Sequence, residues 1–129
     1  LDQRVKVDGI VTDRPGIILG AITADCGPIL YHGIKKNGDP IIGAAHAGWR
    51  GALSGVLENT VRCMTDHGAQ LPSIVAAVGP CIAQGSYEVS PDFLDPFLEY
   101  DPADERFFKE VAPCVSKGSK DSLPLKGGG

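Results

Sequence analysis

"ILYHGIKKNGDPIIGAAH", residues 29–46, decides the fold. Two short apolar runs, Ile29–Gly33 and Ile41–His46, flank "KKNGDP". Its Asn37–Gly38 pair tolerates the left-handed backbone of a tight turn, so the stretch predicts a β-hairpin whose second arm ends at His46. Upstream, "GIILGAITADC" is mostly apolar from Gly16 to Thr23 and stops at Asp25–Cys26, as a further buried strand would. Downstream the period changes: Leu53, Val56, Leu57, Thr60, Val61 and Met64 recur at helical spacing after Trp49, and Gly68 marks the stop. "SIVAAVGPCI", residues 73–82, reads as another buried strand closing on a Gly-Pro-Cys turn. "SPDFLDPFLEY", residues 90–100, opens a helix capped by Ser90 with Pro91 in its first position. "ADERFFKEV", residues 103–111, suits a further short helix. Strands interleaved with helices around a hairpin predict an α/β (α+β) domain with a mixed sheet.

A chain of 129 residues can bury one core but not two. One domain is expected over residues 1–115, with the Ser-, Lys- and Gly-rich residues 116–129 as a flexible tail. The opening "LDQRVKVDG" reads like the middle of a domain, so flanking sequence is expected on both sides. A formal net charge of -4 offers no electrostatic footprint for nucleic acid or an anionic membrane surface. No apolar run approaches the roughly 20 residues that cross a bilayer. The four cysteines, Cys26, Cys63, Cys81 and Cys114, are widely spaced with no CxxC pair. Such spacing suits thiols in a reducing compartment, which predicts a cytoplasmic protein.

Three predicted strand ends carry chemistry: Asp25–Cys26, His46 and Gly79–Pro80–Cys81. Side chains leave the ladder at such ends and face a crevice. A thiolate and an imidazole together suit zinc or a Cys–His nucleophilic pair; a buried cysteine beside a hydrogen-bonded core histidine is an equal alternative. "AAHAGWRGA", residues 44–52, adds to the first two readings. Gly48 and Gly51 let a ligand approach the backbone, the helix start presents N–H groups, and Arg50 can grip an oxyanion at two points. Together they suit a phosphate or carboxylate seat, although Arg50 also suits a surface salt bridge. No GxxxxGK[ST] is present, so the seat is not a nucleoside-triphosphate P-loop. Trp49 reads mainly as packing, Cys63 as a core filler, His67 as a helix cap and His32 as exposed. Asp13–Gly16 reads as a turn, and Cys114 has no evident partner.

Taken in order, "DGIVTDRPGIILGAITADCGPIL" (residues 8–30), "AAHAGWRGALSGVLENTV" (44–61) and "AVGPCIAQGSYEV" (77–89) resemble the laccase-domain, YfiH-like family. Its members are known both as multicopper polyphenol oxidoreductases and as purine nucleoside phosphorylases with adenosine deaminase activity. The resemblance runs from about Asp8 to Phe97. It implies a layered sandwich like that of the deamidating cytotoxic-factor toxins. It also implies zinc held by Cys26 and His46, with a further histidine from a "QVHG"-like motif that this sequence does not contain. The family's "FDLP"-like ending is absent as well.

The implied substrates are a purine nucleoside and phosphate. Arg50 and Gly48 then belong to the phosphate seat. Asp25 serves as a general base or as a partner orienting a ligand. Cys81 lines the purine pocket or packs beneath its turn, and Tyr87 and Glu88 suit structural roles. The competing readings are a copper-dependent phenol oxidase, a Cys26–His46 hydrolase or deamidase, and a non-catalytic nucleoside or phosphate binder. Three histidines and one methionine cannot furnish the imidazoles of a multicopper cluster, although a lone copper remains compatible with the donors.

Overall fold

The computed structural model describes residues 6–111, so Cys114 and residues 116–129 lie outside the described residues. The chain divides into two compact units, with the boundary between Pro91 and Asp92.

The first unit is built on the expected hairpin. Strands β2 (Gly27–Ile34) and β3 (Pro40–Ala47) pair antiparallel, with Gly27 opposite Ala47 and Ile34 opposite Pro40. The turn closes through Lys35 N–H to Asp39 O at 2.8 Å and Gly38 N–H to Lys35 O at 2.9 Å. Gly38 sits at φ 91°, the left-handed position for which glycine has no steric cost. Strand β1 (Gly9–Thr12) adds to the outer side of β3 and β4 (Val75–Val78) to the outer side of β2, giving the order β1-β3-β2-β4. The α/β class is as expected. All pairings among the described strands are antiparallel, so the parallel component of the expected mixed sheet is not among them.

The stretch from Gly16 to Thr23 departs from expectation, because it forms no strand. Gly16 at φ 79° turns the chain after β1, and an ion pair of 2.8 Å between Asp13 and Lys35 ties this turn to the hairpin. Both flanks of β3 are already taken, by β1 and β2, so the run finds no ladder there. It passes along the unit with Ile18 95% and Ile22 99% exposed. An apolar run signals burial but does not supply a partner strand.

Helical periodicity is realised in two pieces. Helix α1 (Trp49–Leu53) stops at Ser54, and α2 (Val56–Asp66) begins after Gly55, whose φ of 86° breaks the expected single helix. At the other end of α2 the Gly68 stop is present, at φ 99°. Gly68 N–H reaches Thr65 O at 2.9 Å and Ala69 N–H reaches Met64 O at 3.0 Å, the paired bonds of a Schellman cap. His67 occupies the cap position and its Nδ1 meets Cys63 O at 2.8 Å.

Alternation along β2 sends Ile29, Tyr31 and Gly33 inward and Leu30, His32 and Ile34 outward. The inward face, with Ile41 and Ala45 of β3, packs on Met64 of α2. Gly43 and Gly33 make this approach possible: a Cβ on either would stand 3.3 Å from the Met64 side chain. Strand β4 forms as expected but is exposed throughout, because it is an edge strand beyond the reach of α2.

From the unit boundary a 3-10 turn (Pro91–Leu94) leads into helix α3 (Asp95–Tyr100), and a second such turn spans Pro102–Phe107. The Asp101 carboxylate accepts from Ala103 N–H at 2.9 Å and so opens that last turn. Phe93, Phe97 and Phe108 form an aromatic cluster, with ring centroids 5.3 to 6.2 Å apart.

Candidate active site

Antiparallel register gathers three loops at one end of the sheet. Strand β2 begins at Gly27 opposite the last residue of β3, Ala47, and Ile29 lies opposite Val78, the last residue of β4. Asp25–Cys26, His46–Gly48 and Gly79–Cys81 are therefore neighbours, although Asp25–Cys26 is a bend entering β2 and not the end of an earlier strand. Two main-chain bonds tie the outer loops together: Gly79 N–H donates to Pro28 O at 2.8 Å, and Ile82 N–H donates to Asp25 O at 2.9 Å. A Cβ on Gly79 would fall 2.8 Å from Pro28 Cγ, so this crossing requires glycine.

Cys26 and His46 meet around Gly48. A Cβ built on Gly48 would lie 3.3 Å from Cys26 Sγ and 3.9 Å from His46 Cε1, so both side chains border the space that this glycine leaves open. Gly51 plays a different part from that expected. Val56 and the His46 carbonyl fill the space beside it, at 3.6 and 3.8 Å, so it serves helix packing and not ligand approach.

His46 is held on its other side by a residue that sequence reasoning missed. Asp8 precedes β1, and the pairing of Gly9 with Ala45 brings it alongside His46. The His46 main-chain N–H donates to Asp8 O at 2.7 Å, and the ring Nδ1 lies 3.3 Å from Asp8 Oδ1. Only the register of β1 against β3 reveals this contact, and no local motif encodes that register. Asp8 and His46 also line an open cavity of about 490 Å³ with Ile10, Ala21, Ile22 and Ala44.

The remaining candidates stand further out. Arg50 is exposed at the second position of α1, its guanidinium stacked 4.9 Å over the Trp49 ring. The Asp25 side chain is exposed, and its main-chain carbonyl is what it gives to the loop junction. Cys81 is exposed too. Cys26, Cys63 and Cys81 are all free thiols.

Thiol and imidazole are the donor types that zinc takes, and the missing Cβ of Gly48 leaves room between them. They make two donors where catalytic zinc takes three from protein. Among the described residues no group of three His, Cys, Asp or Glu side chains gathers to hold a metal.

An antiparallel sheet under a helix, with a cysteine and a histidine brought together at one end, is the class of structure that this site defines. The chain belongs to the multi-copper polyphenol oxidoreductase laccase family, whose sequence model matches residues 2–124. It is 39% identical over 103 residues to a purine nucleoside phosphorylase of Rickettsia conorii, covering 80% of this chain and 41% of that protein. It is 36% identical over 115 residues to the purine nucleoside phosphorylase YfiH of Escherichia coli K12, covering 89% and 42%. An adenosine deaminase, RL5, from an unknown prokaryotic organism is 37% identical over 91 residues, covering 70% and 34%. Among solved structures, the Neisseria meningitidis protein NMB0706 superimposes with a TM-score of 0.68 at 33% identity, covering 82% of this chain and 41% of that one. The chain thus spans about two-fifths of the length of the first two of these relatives.

Proposed function

We propose that this chain carries part of a purine-nucleoside-cleaving site that uses phosphate as acceptor. The observation that carries the reading is the convergence of Cys26 Sγ and His46 on the open space beside Gly48. The names of the relatives, nucleoside phosphorylases and one adenosine deaminase, favour nucleosides over phenols as substrates.

In phosphorolysis a phosphate oxygen bonds to the anomeric carbon as the bond from that carbon to the purine nitrogen breaks. The bonding pair leaves with the base, which then takes a proton. Arg50, with the first-turn N–H groups of α1, receives the phosphate and offsets its charge. The cavity beside His46 takes the apolar face of the nucleoside, and its volume lies within the usual range for small-molecule sites. Cys26 and His46 would hold zinc, which supplies Lewis-acid polarisation and a nucleophile at neutral pH when bound. In the deaminase reading of the same site, water bonds instead to C6 of the adenine ring and the amino group leaves as ammonia, with the glycosidic bond intact. Cys81, exposed on the loop after β4, contacts the purine or packs beneath its turn, and Asp25 serves as general base or as an orienting group. The free thiols of Cys26, Cys63 and Cys81 suit a reducing compartment such as the cytoplasm.

The test incubates the purified full-length protein with adenosine and inosine, with and without phosphate and a chelator, and separates the products. Free base that forms only with phosphate supports phosphorolysis, and inosine from adenosine supports deamination. No turnover of either nucleoside under any metal condition refutes the nucleoside reading and leaves the Cys26–His46 hydrolase and the non-catalytic binder. Cys26→Ala and His46→Ala should each lose zinc, and undiminished zinc in both refutes the ligand assignment.

A further inference from the structure

Asp8 touches His46 twice, once through its main chain at 2.7 Å and once through its carboxylate at 3.3 Å. The first contact fixes where the histidine backbone sits relative to β1. The second bears on the ring itself. A carboxylate only accepts hydrogen bonds, so the ring nitrogen facing it must carry the proton. A neutral imidazole has one such proton, and placing it on Nδ1 leaves the lone pair on Nε2.

We infer that Asp8 is a positioning residue that fixes the His46 tautomer with Nδ1 protonated, so that Nε2 is the nitrogen free to act. This inference deepens the proposed function, in which His46 is a donor, but its own observable is the protonated ring nitrogen in the protein without metal. The arrangement matches the general pattern in which a histidine donor gives its other N–H to a carboxylate. The geometry favours Asp8 over Asp25 for this part, since Asp25 meets the site through its main-chain carbonyl. The hairpin places His46 beside Cys26 whatever the ring does. The tautomer, by contrast, depends on β1 alone, because Asp8 comes from the residue before that strand.

The experiment is nitrogen-15 NMR of the His46 ring in the full chain, after chelator treatment and at a pH where the ring is neutral. Removing metal matters because a bound ion would fix the tautomer by itself. Wild type should show the proton on Nδ1. Asp8→Ala should move it to Nε2, the form that free imidazole side chains prefer. Asp8→Asn, whose side-chain carbonyl can still accept, should keep it on Nδ1. Unchanged methyl resonances of Ile41 and Ala45 check that the sheet is intact. A proton on Nε2 in wild type overturns the inference, as does an unchanged tautomer in a folded Asp8→Ala variant. The wild-type spectrum decides even if the alanine variant does not fold. Nucleoside turnover is measured in parallel. Lost function with the expected tautomers refutes the enzymatic reading and leaves this inference standing. Turnover with a proton on Nε2 in wild type does the reverse.

Discussion

Gly48→Ala separates what the fold requires from what the site requires. Gly48 has φ -74° and ψ 165°, a backbone that any residue adopts, so alanine meets no conformational strain. Two small effects oppose each other. Alanine restricts the unfolded chain, which stabilises by about 0.4–1 kcal/mol. It is also a poorer helix cap than glycine, which costs about 0.5–1 kcal/mol. The net change in folding free energy should stay within about 1 kcal/mol. At the site the new methyl stands 3.3 Å from Cys26 Sγ and 3.9 Å from His46 Cε1. Comfortable carbon contacts begin at about 3.5 Å, and sulfur is larger than carbon, so the thiol must move by a few tenths of an ångström. Metal–ligand distances tolerate only about 0.2 Å. Zinc affinity and phosphorolysis should therefore fall at least about tenfold, equivalent to about 1.4 kcal/mol. Urea denaturation reads the fold, competition with a chromophoric chelator reads the metal, and base release reads turnover. Wild-type zinc affinity in a stably folded Gly48→Ala protein would refute the reasoning.

Three further outcomes follow from the framework. Met64 has no exposed surface and fills the space beside Gly33 and Gly43, so Met64→Ala should lower stability by about 2–5 kcal/mol in urea denaturation. Gly68→Ala puts a Cβ at φ 99° and should cost about 1–2 kcal/mol, read as a lower thermal midpoint; an unchanged midpoint contradicts the left-handed cap. Lys35, by hydrogen bond and charge, holds the Asp13 carboxyl below its usual range. A depressed native pKa stabilises above the unfolded value, and that stabilisation disappears as pH falls through the native one. Asp13→Asn should therefore be slightly destabilising near neutrality and converge on wild type in acid; a gap that widens on acidification rules the pair out.

Local signals carried much of the fold. The Asn37–Gly38 turn and the apolar runs beside it define β2, β3 and their register, because a short turn leaves few alternatives. With the hairpin fixed, Cys26 before it and His46 near its end must be neighbours, so the central pair of the site was legible. The helical stripe was legible too, but not its interruption, since Gly55 looks in sequence like any tolerated helix glycine. What failed was tertiary. Residues 16–23 have the composition of a buried strand, yet they pair with none of the four strands, and composition does not report pairing. Strand β4 was read as buried because its residues are apolar, although its place at the border of the sheet leaves it open. Asp8 was invisible for the same reason: its role arises from a pairing between β1 and β3 that spans 38 residues from Asp8 to His46.

The hairpin has a consequence for the order in which the site assembles. Its arms close over a tight turn, so the entropy of bringing Cys26 and His46 together is small, and this pair can form as early as any contact in the sheet. Asp8 and Cys81 lie just outside border strands, before β1 and after β4, and such strands open most readily in native-state fluctuations. Fraying of those borders would leave sulfur and imidazole adjacent while releasing the ring from its carboxylate. The protein would then keep its donors in place while losing control over which nitrogen they present. Amide exchange should record that hierarchy, with protection lost at β1 and β4 before β2 and β3.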